Sequence, residues 1–492
     1  MQSPRPQVGQ PPSSKQQLRR VALSGLLGTA VELYDFLVYG TVAALVFGEL
    51  FFPEADPAVG TIAAFGTFAA GYVARPLGGI VFGHFGDRVG RKSIMLLTMV
   101  MMGAGSFLIG LLPTYDAIGV WAPILLVTLR VVQGLAIGGE WGGATLMVVE
   151  HVEHAGGKRR GLWSSATQLG APLGSVLSAG VVTLVSALPD DDFRSWGWRV
   201  PFLLSVVLLA VGLFVRLKVT ESPLFKEAQL KEAQLKEAQL KEAQLKDARL
   251  EAAQQRQESS EAPAKPPILE LLRKPKPVLQ ACCVGIGAFT AQSLLTGFMI
   301  SYAVTHGYTR SQVLTAVTLA SVVALFVLPA ASALSDRIGR RPVVLAGAIA
   351  SAALAFPVVA LVDSGSPGLL ILAICLGHGV AQSTMYGPLG ALLSEMFGTR
   401  VRYTGASLGY QGATLIGAGF SPLIASSLLA AYDGSSTPLA LLLCSGALIT
   451  VATLWRMRET SGNTLITDDI AAPASASPQR TVPAADTEGV RG

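Results

Sequence analysis

The feature that most constrains this chain is a series of long apolar runs that recurs along almost its whole length. Runs of about 20 apolar residues have the length that a helix needs to cross the hydrocarbon core of a bilayer. Only 14% of the 492 residues are charged, whereas ordinary soluble domains contain about 25%. Since a soluble core does not need such runs, the sequence predicts an all-α membrane protein whose backbone polar groups are satisfied within helices.

We predict twelve membrane-spanning helices in two sets of six, separated by a long polar segment. In the first half they cover residues 21–48, 59–83, 93–112, 121–148, 161–188 and 199–218. In the second half they cover residues 277–304, 311–334, 343–362, 367–395, 403–431 and 437–456. The corresponding domains are a disordered N-terminus 1–20, a six-helix bundle 21–220, a linker 221–276, a second bundle 277–458 and a disordered tail 459–492.

Two short charged loops indicate that the two halves are related. Both hold aspartate and arginine at matching positions between apolar runs. They contain Gly83, Asp87, Arg88, Gly90 and Arg91 in the first half, and Asp336, Arg337 and Arg340 in the second. A loop that recurs at the same place in each half predicts parallel six-helix repeats, related by an axis along the membrane normal.

Positive charge marks one side of the predicted bundle. The connections from even-numbered to odd-numbered spans are rich in Lys and Arg, whereas the opposite loops carry mainly aspartates. Because cytoplasmic loops retain Lys and Arg, we predict a multi-pass protein of the inner or plasma membrane with both termini in the cytoplasm. Since these cations do not form one patch, we expect no nucleic acid as partner. The expected partner is the lipid bilayer, and the expected oligomeric state is a monomer.

The linker contains an internal repeat. The sequence Lys226-Glu227-Ala228-Gln229-Leu230 occurs four times in a row, followed by an altered copy at 246–250. Each Glu lies four residues before a Lys, an order that stabilises a helix by about 0.2–0.5 kcal/mol per pair. A Leu at every fifth position forms no continuous apolar stripe, so the repeat predicts a solvated helix rather than a coiled coil. A partner-binding arm is the alternative.

The sequence contains no signature of an enzyme. We find no Walker motif, nucleotide fingerprint, zinc-ligand spacing or catalytic triad, and therefore expect no cofactor and no metal. The four cysteines, Cys282, Cys283, Cys375 and Cys444, lie inside apolar runs and are interpreted as small apolar residues. A proton gradient is the expected source of energy.

Ionisable side chains inside the predicted spans are the strongest functional candidates, because each costs about 2.5–3.5 kcal/mol to insert. Glu32, Asp35 and Tyr39 share one face of the first span, and Arg130 and Glu140 share one face of the fourth. We predict that Arg130 pairs with Asp35 or Glu32, and we assign all four charged residues to proton coupling. The alternative is that the ion pairs only hold the helices together.

Other polar residues inside the spans are candidates for binding a substrate. They are Tyr39, Arg75, Gln133, Gln168, Gln292, His378, Gln382, Tyr386 and Gln411. Arg75 lies near enough to the end of its span for its side chain to extend to the membrane surface, which is the structural alternative for this residue. His378 also has a structural alternative, as a hydrogen-bonded contact between helices.

Several motifs make the chain from about residue 20 to 460 similar to a known family. They are Gly28-x-x-x-Glu32-x-Tyr34-Asp35, Arg75-Pro76-Leu77-Gly78-Gly79, Gly138-Gly139-Glu140-Trp141, Trp198-Arg199-Val200-Pro201 and Arg402-Tyr403-Thr404-Gly405. With the charged loop they resemble the major facilitator superfamily and, within it, the metabolite:proton symporter family, which contains proline/betaine, 2-oxoglutarate, citrate and shikimate permeases.

This resemblance implies alternating access by a rocker-switch movement. It implies that Asp87, Arg88 and Arg91 latch the cytoplasmic ends of the helices in one state. Ser332 stands where the second loop should have glycine, so the latch through Asp336 and Arg340 is expected to be weaker.

The resemblance also implies proton-coupled import of a small carboxylate-bearing metabolite. The substrate is either a zwitterionic osmolyte such as proline or glycine betaine, or an organic acid such as shikimate or 2-oxoglutarate. Osmosensing relatives carry a long C-terminal coiled coil, and this tail has none, which argues against osmosensing but not against osmolyte transport. Proton-antiport efflux and a non-transporting sensor are the alternatives.

The linker repeat gives a first prediction. Deletion of Lys231–Leu245 removes three copies of the repeat and should leave transport nearly unchanged, because the repeat has no apolar stripe with which to dock. Uptake into vesicles, normalised to the amount of inserted protein, measures the effect. A correctly inserted deletion variant without uptake would contradict the interpretation as a passive solvated helix.

Overall fold

The computed structural model describes residues 14–54, 57–89, 91–154, 159–217, 275–398, 401–432 and 434–461. The linker repeat and most of the predicted disordered termini lie outside these ranges. Gly90 lies outside them as well, and the side chains of Asp87, Arg88 and Arg91 are not described.

The described residues form long helices in the predicted order. In the first half these are α1 (Ser14–Val42), α2 (Pro57–Val89), α3 (Arg91–Leu111), α4 (Trp121–His154), α5 (Arg160–Val185) and α6 (Val200–Leu217). In the second half they are α7 (Lys276–Thr305), α8 (Arg310–Ile338), α9 (Arg340–Asp363), α10 (Pro367–Glu395), α11 (Arg402–Ala431) and α12 (Thr437–Arg456). Within the described ranges, eleven helices are long and apolar enough to cross a membrane. The remaining one, α2, is 33 residues long and contains Arg75 and several glycines.

Several helices continue past the predicted ends of their spans. The prediction ends the second span at residue 83, but α2 runs to Val89, so most of the predicted first loop is helical. Likewise, α8 runs to Ile338, and the chain turns only at Gly339, whose φ of 105° favours glycine. Apolar length marks where the hydrocarbon ends, whereas helical hydrogen bonds continue into the aqueous region.

The two halves use the same helix pairs. In the first half α1 packs on α5, α2 on α4 and α3 on α6; in the second half α7 packs on α11, α8 on α10 and α9 on α12. The halves meet mainly where α5 contacts α8 and where α2 contacts α11. The fold is thus the predicted pair of six-helix bundles. We call the face where α1 begins and α12 ends the inner face, and the opposite face the outer face.

Four of the helical segments contain a π-helical turn. These turns are Ala43–Phe47 after α1, Ser293–Phe298 in α7, Cys375–Gln382 in α10 and Leu415–Gly419 in α11. Each such turn inserts a residue and redirects the side chains next to it, and π turns occur frequently at functional sites. Three of them lie in the second half, on the helices that face the first half across the central cavity described below.

Glycines allow α2 and α4 to approach closely. A Cβ atom at Gly134 would lie 2.0 Å from the carbonyl oxygen of Gly71, and one at Gly138 would lie 2.0 Å from that of Arg75. Small residues at such crossings let helix backbones pack directly against each other in a membrane. This contact fixes the height of the arginine on α2 relative to α4.

We predict that Gly138→Ala destabilises the protein, because the added methyl group would collide with backbone that cannot move independently of α2. Overpacking of this kind costs about 1–3 kcal/mol. Thermal unfolding in detergent measures the effect. Gly66→Ala on α2 is the matched control, since a Cβ atom there has no neighbour within 4 Å. Equal unfolding temperatures for both variants would contradict the packing argument.

Candidate functional site

A central cavity lies between the two halves. It has about 810 Å³ of space between its walls, including space open to solvent. Residues from α1 and α2 form one wall, and residues from α7, α10 and α11 form the other. Four of the predicted residues line it: Glu32, Arg75, Gln292 and Tyr386. The cavity therefore brings together predicted positions that are up to 354 residues apart (386 − 32).

Contacts between the halves close the space on the inner side of this cavity. The Tyr403 hydroxyl donates to the Gly139 carbonyl oxygen at 2.6 Å, and Gln411 Nε2 donates to that of Gly138 at 3.4 Å. Gln168 Nε2 donates to the Tyr386 carbonyl oxygen at 3.3 Å. Gln168 and Gln411, which the sequence analysis names as substrate-binding candidates, thus join the halves and do not line the cavity.

Aromatic rings form the floor of the cavity. The Trp141 ring stacks on Tyr410, with ring centroids 3.7 Å apart, and the hydroxyl groups of Tyr410 and Tyr386 lie 3.0 Å apart. The Trp141 Nε1–H donates to Gln168 Oε1 at 3.1 Å, which fixes the indole ring. Trp141 was named only as part of a motif and was not predicted to line a site. A single sequence does not indicate that an aromatic ring of α4 contacts a helix of the other half.

Arg75 is buried and points into the cavity wall. Its guanidinium carbon lies 4.4 Å from the centroid of the Phe36 ring and 4.1 Å from that of Tyr72. Its Nε has no hydrogen-bond partner among the described residues. The alternative that Arg75 extends to the membrane surface is therefore wrong. Cation–π contacts worth about 2 kcal/mol each when desolvated hold it inside.

Arg130 does not pair with a carboxylate of α1, so the predicted ion pair is wrong. Within the part of the chain that the structure describes, its Nη1 donates to Gln133 Oε1 at 2.9 Å. Its guanidinium carbon lies 3.3 Å from the centroid of the Tyr39 ring. Tyr39 and Gln133, predicted to bind substrate, lie behind the cavity wall and hold Arg130 instead.

Asp35 is held by hydroxyl groups rather than by an arginine. One carboxylate oxygen accepts a hydrogen bond from Ser205 of α6, and Ser106 of α3 lies beside the same carboxylate. Gln133 Nε2 donates to Ser106 Oγ at 2.8 Å, so Arg130 reaches Asp35 only through this chain of polar groups. The other Asp35 oxygen is buried without a hydrogen-bond partner in the described ranges. A buried carboxylate in such surroundings can gain or lose a proton without breaking an ion pair.

Glu140 forms a buried ion pair with Arg216 of α6. Both side chains are at most 2% exposed, and Arg216 Nη1 also donates to the Met95 carbonyl oxygen at 2.7 Å. Arg216 was not predicted as a functional residue, because a cation at the end of a span is expected at the membrane surface. The signal that could have found it is that Glu140, deep in α4, needs a cationic partner.

A second cavity of about 320 Å³ adjoins the central one. Gln292 and Tyr386 line both, while His378, Gln382 and Ser175 line only the second. His378 is buried, and neither of its ring nitrogens has a hydrogen-bond partner among the described residues. The alternative interpretation of His378 as a hydrogen-bonded helix contact is therefore wrong.

Asp336 connects the halves at the inner face. Its two carboxylate oxygens accept hydrogen bonds from the backbone N–H groups of Gly161 and Leu162, at 2.8 and 2.9 Å. These groups belong to the first turn of α5, where helix N–H groups lack partners within the helix and favour negative charge. Arg340 Nη1 donates to Asp336 at 2.6 Å. The second-half loop therefore binds across the interface, as the resemblance implies.

An acidic residue of α10 extends this network. Glu395 lies 3.2 Å from Arg340 Nη2 and 3.9 Å from Arg160 Nη1 of the first half. Glu459, just after α12, accepts the backbone N–H of Arg340 at 2.8 Å. Burial alone would raise the pKa of Glu459, but hydrogen bonds from the backbone of Ser461 and of the start of α9 outweigh it and hold the pKa below its usual value. Arg337 is exposed at the end of α8.

Ser332 of α8 stands where the resemblance predicts a glycine, but its side chain does not push α8 away from α5 and α10. Its hydroxyl donates to the Leu328 carbonyl oxygen of its own helix at 2.8 Å. Glycines on the neighbouring helices supply the space: a Cβ atom at Gly387 would lie 2.7 Å from the Ser332 hydroxyl, and one at Gly161 would lie 2.8 Å from its carbonyl oxygen. The predicted first latch, through Asp87, Arg88 and Arg91, lies outside the described side chains.

Comparison with known proteins places the chain among membrane transporters. Residues 21–470 match the family model described as "Sugar (and other) transporter". The chain is 38% identical to the shikimate transporter of Escherichia coli over 449 residues, which cover 91% of this chain and 96% of that protein. It is 34% identical to the proline/betaine transporter of E. coli over 453 residues, which cover 91% of this chain and 85% of that protein.

The fold also resembles solved structures. The proton:xylose symporter XylE bound to 6-bromo-6-deoxy-D-glucose superposes with a TM-score of 0.72. The match covers 92% of this chain and 98% of XylE, an E. coli protein, at 18% sequence identity. At that identity the likeness concerns the fold, and it agrees with the two six-helix bundles described above.

The network at the inner face gives a third prediction. Asp336→Asn removes the charge that α5 binds, and a loss of about 1–2 kcal/mol would change the ratio of closed to open inner faces by about 5- to 30-fold. A cysteine at the buried position Thr145, in a background without the native cysteines, should then react faster with a membrane-permeant thiol reagent. Arg337→Gln is the control, because this exposed neighbour leaves the contact intact. Equal rates in both variants would contradict a latch through Asp336.

Proposed function

We propose that this chain, which belongs to the sugar (and other) transporter family of the major facilitator superfamily, imports a small carboxylate-bearing metabolite together with a proton. Proteins of this family are multi-span membrane transporters and not enzymes, and this chain is a secondary transporter. The proposal concerns the substrate class, the coupling ion and the direction of transport.

The observation that carries the proposal is Arg75 on the wall of the central cavity. Its side chain is buried on aromatic rings, and it has no ion-pair partner within the described residues. A guanidinium in this position binds a carboxylate by paired, charge-assisted hydrogen bonds. Shikimate and proline, which the relatives are named for, both carry one carboxylate group. The substrate is thus proposed to bind with its carboxylate at Arg75.

The second half would supply the contacts that select the rest of the substrate. Gln292, His378, Gln382 and Tyr386 offer neutral donors and acceptors around the joined cavities. His378 is suited to this role because both ring nitrogens are buried without partners in the described structure. A binding site whose buried polar groups need a hydrogen bond from the substrate discriminates strongly against a substrate that cannot make it, because those groups are then left unpaired.

Asp35 is the proposed proton-coupling residue. The unpartnered carboxylate oxygen can take a proton, and Arg130 lies close enough for its charge to act on the carboxylate without a direct ion pair. Protonation of Asp35 would free Arg130 to interact more strongly with other groups behind the cavity wall. Proton binding and substrate binding would then each change the affinity for the other, which is the basis of coupled transport.

Transport would proceed by alternating access. The contacts of Tyr403, Asp336 and Glu395 close the inner face in this structure, and the cavity lies on their outer side. We identify the inner face with the cytoplasm, on the basis of the Lys and Arg in its loops. Release of these contacts would open the cavity to the cytoplasm. The protein is proposed to act as a monomer in the inner or plasma membrane.

The two alternative functions have less support. Efflux of drug-like compounds would be favoured by a large apolar cavity without an arginine and a carboxylate, but Arg75 and Glu32 line this one. A non-transporting sensor would be favoured by a sealed interior, whereas the halves enclose a central cavity with solvent-open space. Import of a carboxylate agrees with both observations.

A substrate panel tests the proposal. Proteoliposomes containing the purified protein are offered labelled shikimate, 2-oxoglutarate, citrate, proline and glycine betaine, with and without an inwardly directed proton gradient. We expect at least one of these carboxylates to accumulate only when the gradient is present. Accumulation of none of them, with export of a cationic dye instead, would favour efflux.

The role of Asp35 gives a separate prediction. Asp35→Asn should abolish gradient-driven accumulation but retain part of the counterflow exchange, which needs no net movement of protons. Arg130→Ala should damage both activities, because it removes the charge that acts on Asp35 and on the cavity wall. Asp116→Asn, an exposed residue of the α3–α4 connection, is the control. Full accumulation by Asp35→Asn would place the proton site elsewhere.

A further inference from the structure

A row of buried charges leads from the central cavity towards the inner face, inside the first bundle. Glu32 lines the cavity, and one of its oxygens is buried without a hydrogen-bond partner among the described residues. Glu140 of α4 interacts electrostatically with Glu32, and it also carries one buried unpartnered oxygen. Arg216 of α6 binds the other Glu140 oxygen. The three side chains are between 1% and 5% exposed.

The ion pair of this row packs directly on α1. A Cβ atom at Gly28, one turn before Glu32, would lie 2.0 Å from Arg216 Nη2 and 3.1 Å from Glu140 Oε1. Only a glycine leaves room for the pair at this point. The guanidinium and the carboxylate are therefore pressed against the helix that carries both Glu32 and Asp35.

A small cavity lies on the inner side of the ion pair. Its walls lie too close together to hold a water molecule, and Arg216 forms part of its lining. The other lining residues come from the beginning of α1 and of α3 and from the later part of α4; they include Val21, Ser24, Met95, Ala144 and Met147. These positions all lie towards the inner face, so the cavity prolongs the row of charges in that direction.

We infer that Glu32, Glu140 and Arg216 form a route for proton release through the first bundle, separate from the substrate path between the halves. The inference rests on the proposed proton coupling, and it adds a path and a residue, Arg216, to it. Buried carboxylates without complete hydrogen bonding are costly to retain in a membrane interior, and such residues commonly serve as proton relays.

The proton transfer needs no other reactant. A proton on Glu32 passes to the free oxygen of Glu140, so that one O–H bond breaks and another forms. Protonated Glu140 no longer holds Arg216 as an ion pair, and Arg216 keeps its hydrogen bond to the Met95 carbonyl oxygen. The proton then leaves to water at the inner face, and the ion pair forms again.

Other charged and polar groups surround this row and interact electrostatically with its carboxylates. Arg75 of α2 interacts electrostatically with Glu32 from the cavity side. The hydroxyl groups of three tyrosines interact electrostatically with both side chains: Tyr72, Tyr386 and Tyr410. Arg216 keeps the positive charge on the inner side of Glu140. A proton that enters from the cavity thus passes one fixed cation, Arg75, then reaches the two carboxylates, and meets a second fixed cation, Arg216, on their inner side.

The test compares two double variants in proteoliposomes that accumulate substrate. Glu140→Gln/Arg216→Gln removes both charges of the route and leaves the net charge unchanged. Glu49→Gln/Arg194→Gln removes an exposed ion pair of the outer face and is the matched control. We expect the first double variant to retain counterflow at about the level of the control but to lose about tenfold or more of its gradient-driven accumulation. Accumulation equal to the control would overturn the inference.

A second variant decides the question if the first fails to insert. Ser24→Val leaves every charge in place and puts an apolar group in the lining that Ser24 shares with Arg216, at the inner end of the route, so it should lower accumulation and spare counterflow. Unchanged accumulation by Ser24→Val would overturn the release route. Failure of the proposed function is recognised separately, because the wild-type protein would then show no gradient-driven accumulation at all.

Discussion

Burial of charge in the first six-helix bundle is the constraint on which the rest of the structure depends. The side chains concerned are Glu32, Asp35, Arg75, Arg130, Glu140 and Arg216, each at most 6% exposed. An unpaired charge in hydrocarbon is costly, so a helix bundle retains it only where the protein replaces water. Of these six side chains, only Glu140 and Arg216 form a direct ion pair within the described ranges. Aromatic rings hold Arg75 and Arg130, an amide also binds Arg130, and a hydroxyl group binds Asp35. Several polar atoms of these buried side chains have no partner among the described residues.

At the depth of the buried charges of the first half, the second half places neutral polar side chains around its cavities. The groups around its cavities are glutamine, histidine and tyrosine side chains, and its charged network lies at the inner end, around Asp336 and Glu395. This division gives each half a distinct role in the proposed mechanism. The first half would carry the proton and hold a carboxylate, and the second would select the substrate and latch the inner face. Coupling then needs only one rigid movement of the halves, since the substrate would bind at their boundary and the proton on α1, which forms part of the same cavity wall.

The sequence predicted the fold well because the fold follows from apolar length and charge placement. Twelve long helices in two related halves were predicted, although helix occupies most of the predicted charged loops, and the chain belongs to the transporter superfamily that its motifs resemble. The ionisable residues of α1 and α4 were identified because charge inside a span stands out from its surroundings. Their partners could not be identified, since pairing depends on how helices rotate against each other. Arg130 was predicted to pair with Asp35 but rests on Tyr39, and Arg216 was missed although it makes the pair. Gln168 and Gln411 lie in contacts between the halves and do not line the cavity. The sequence could not show this, because a polar residue at an interface between halves has the same pattern as one in a cavity.

The central claim, that a carboxylate and a proton enter together, is tested most directly by substrate-induced proton movement. Vesicles with the protein in one orientation are suspended in lightly buffered medium without a gradient, and the transported carboxylate is added outside. The account predicts a transient rise in the external pH that scales with the amount of substrate taken up and is abolished by a protonophore. Uptake without a change in pH, or with a fall in pH, would contradict it.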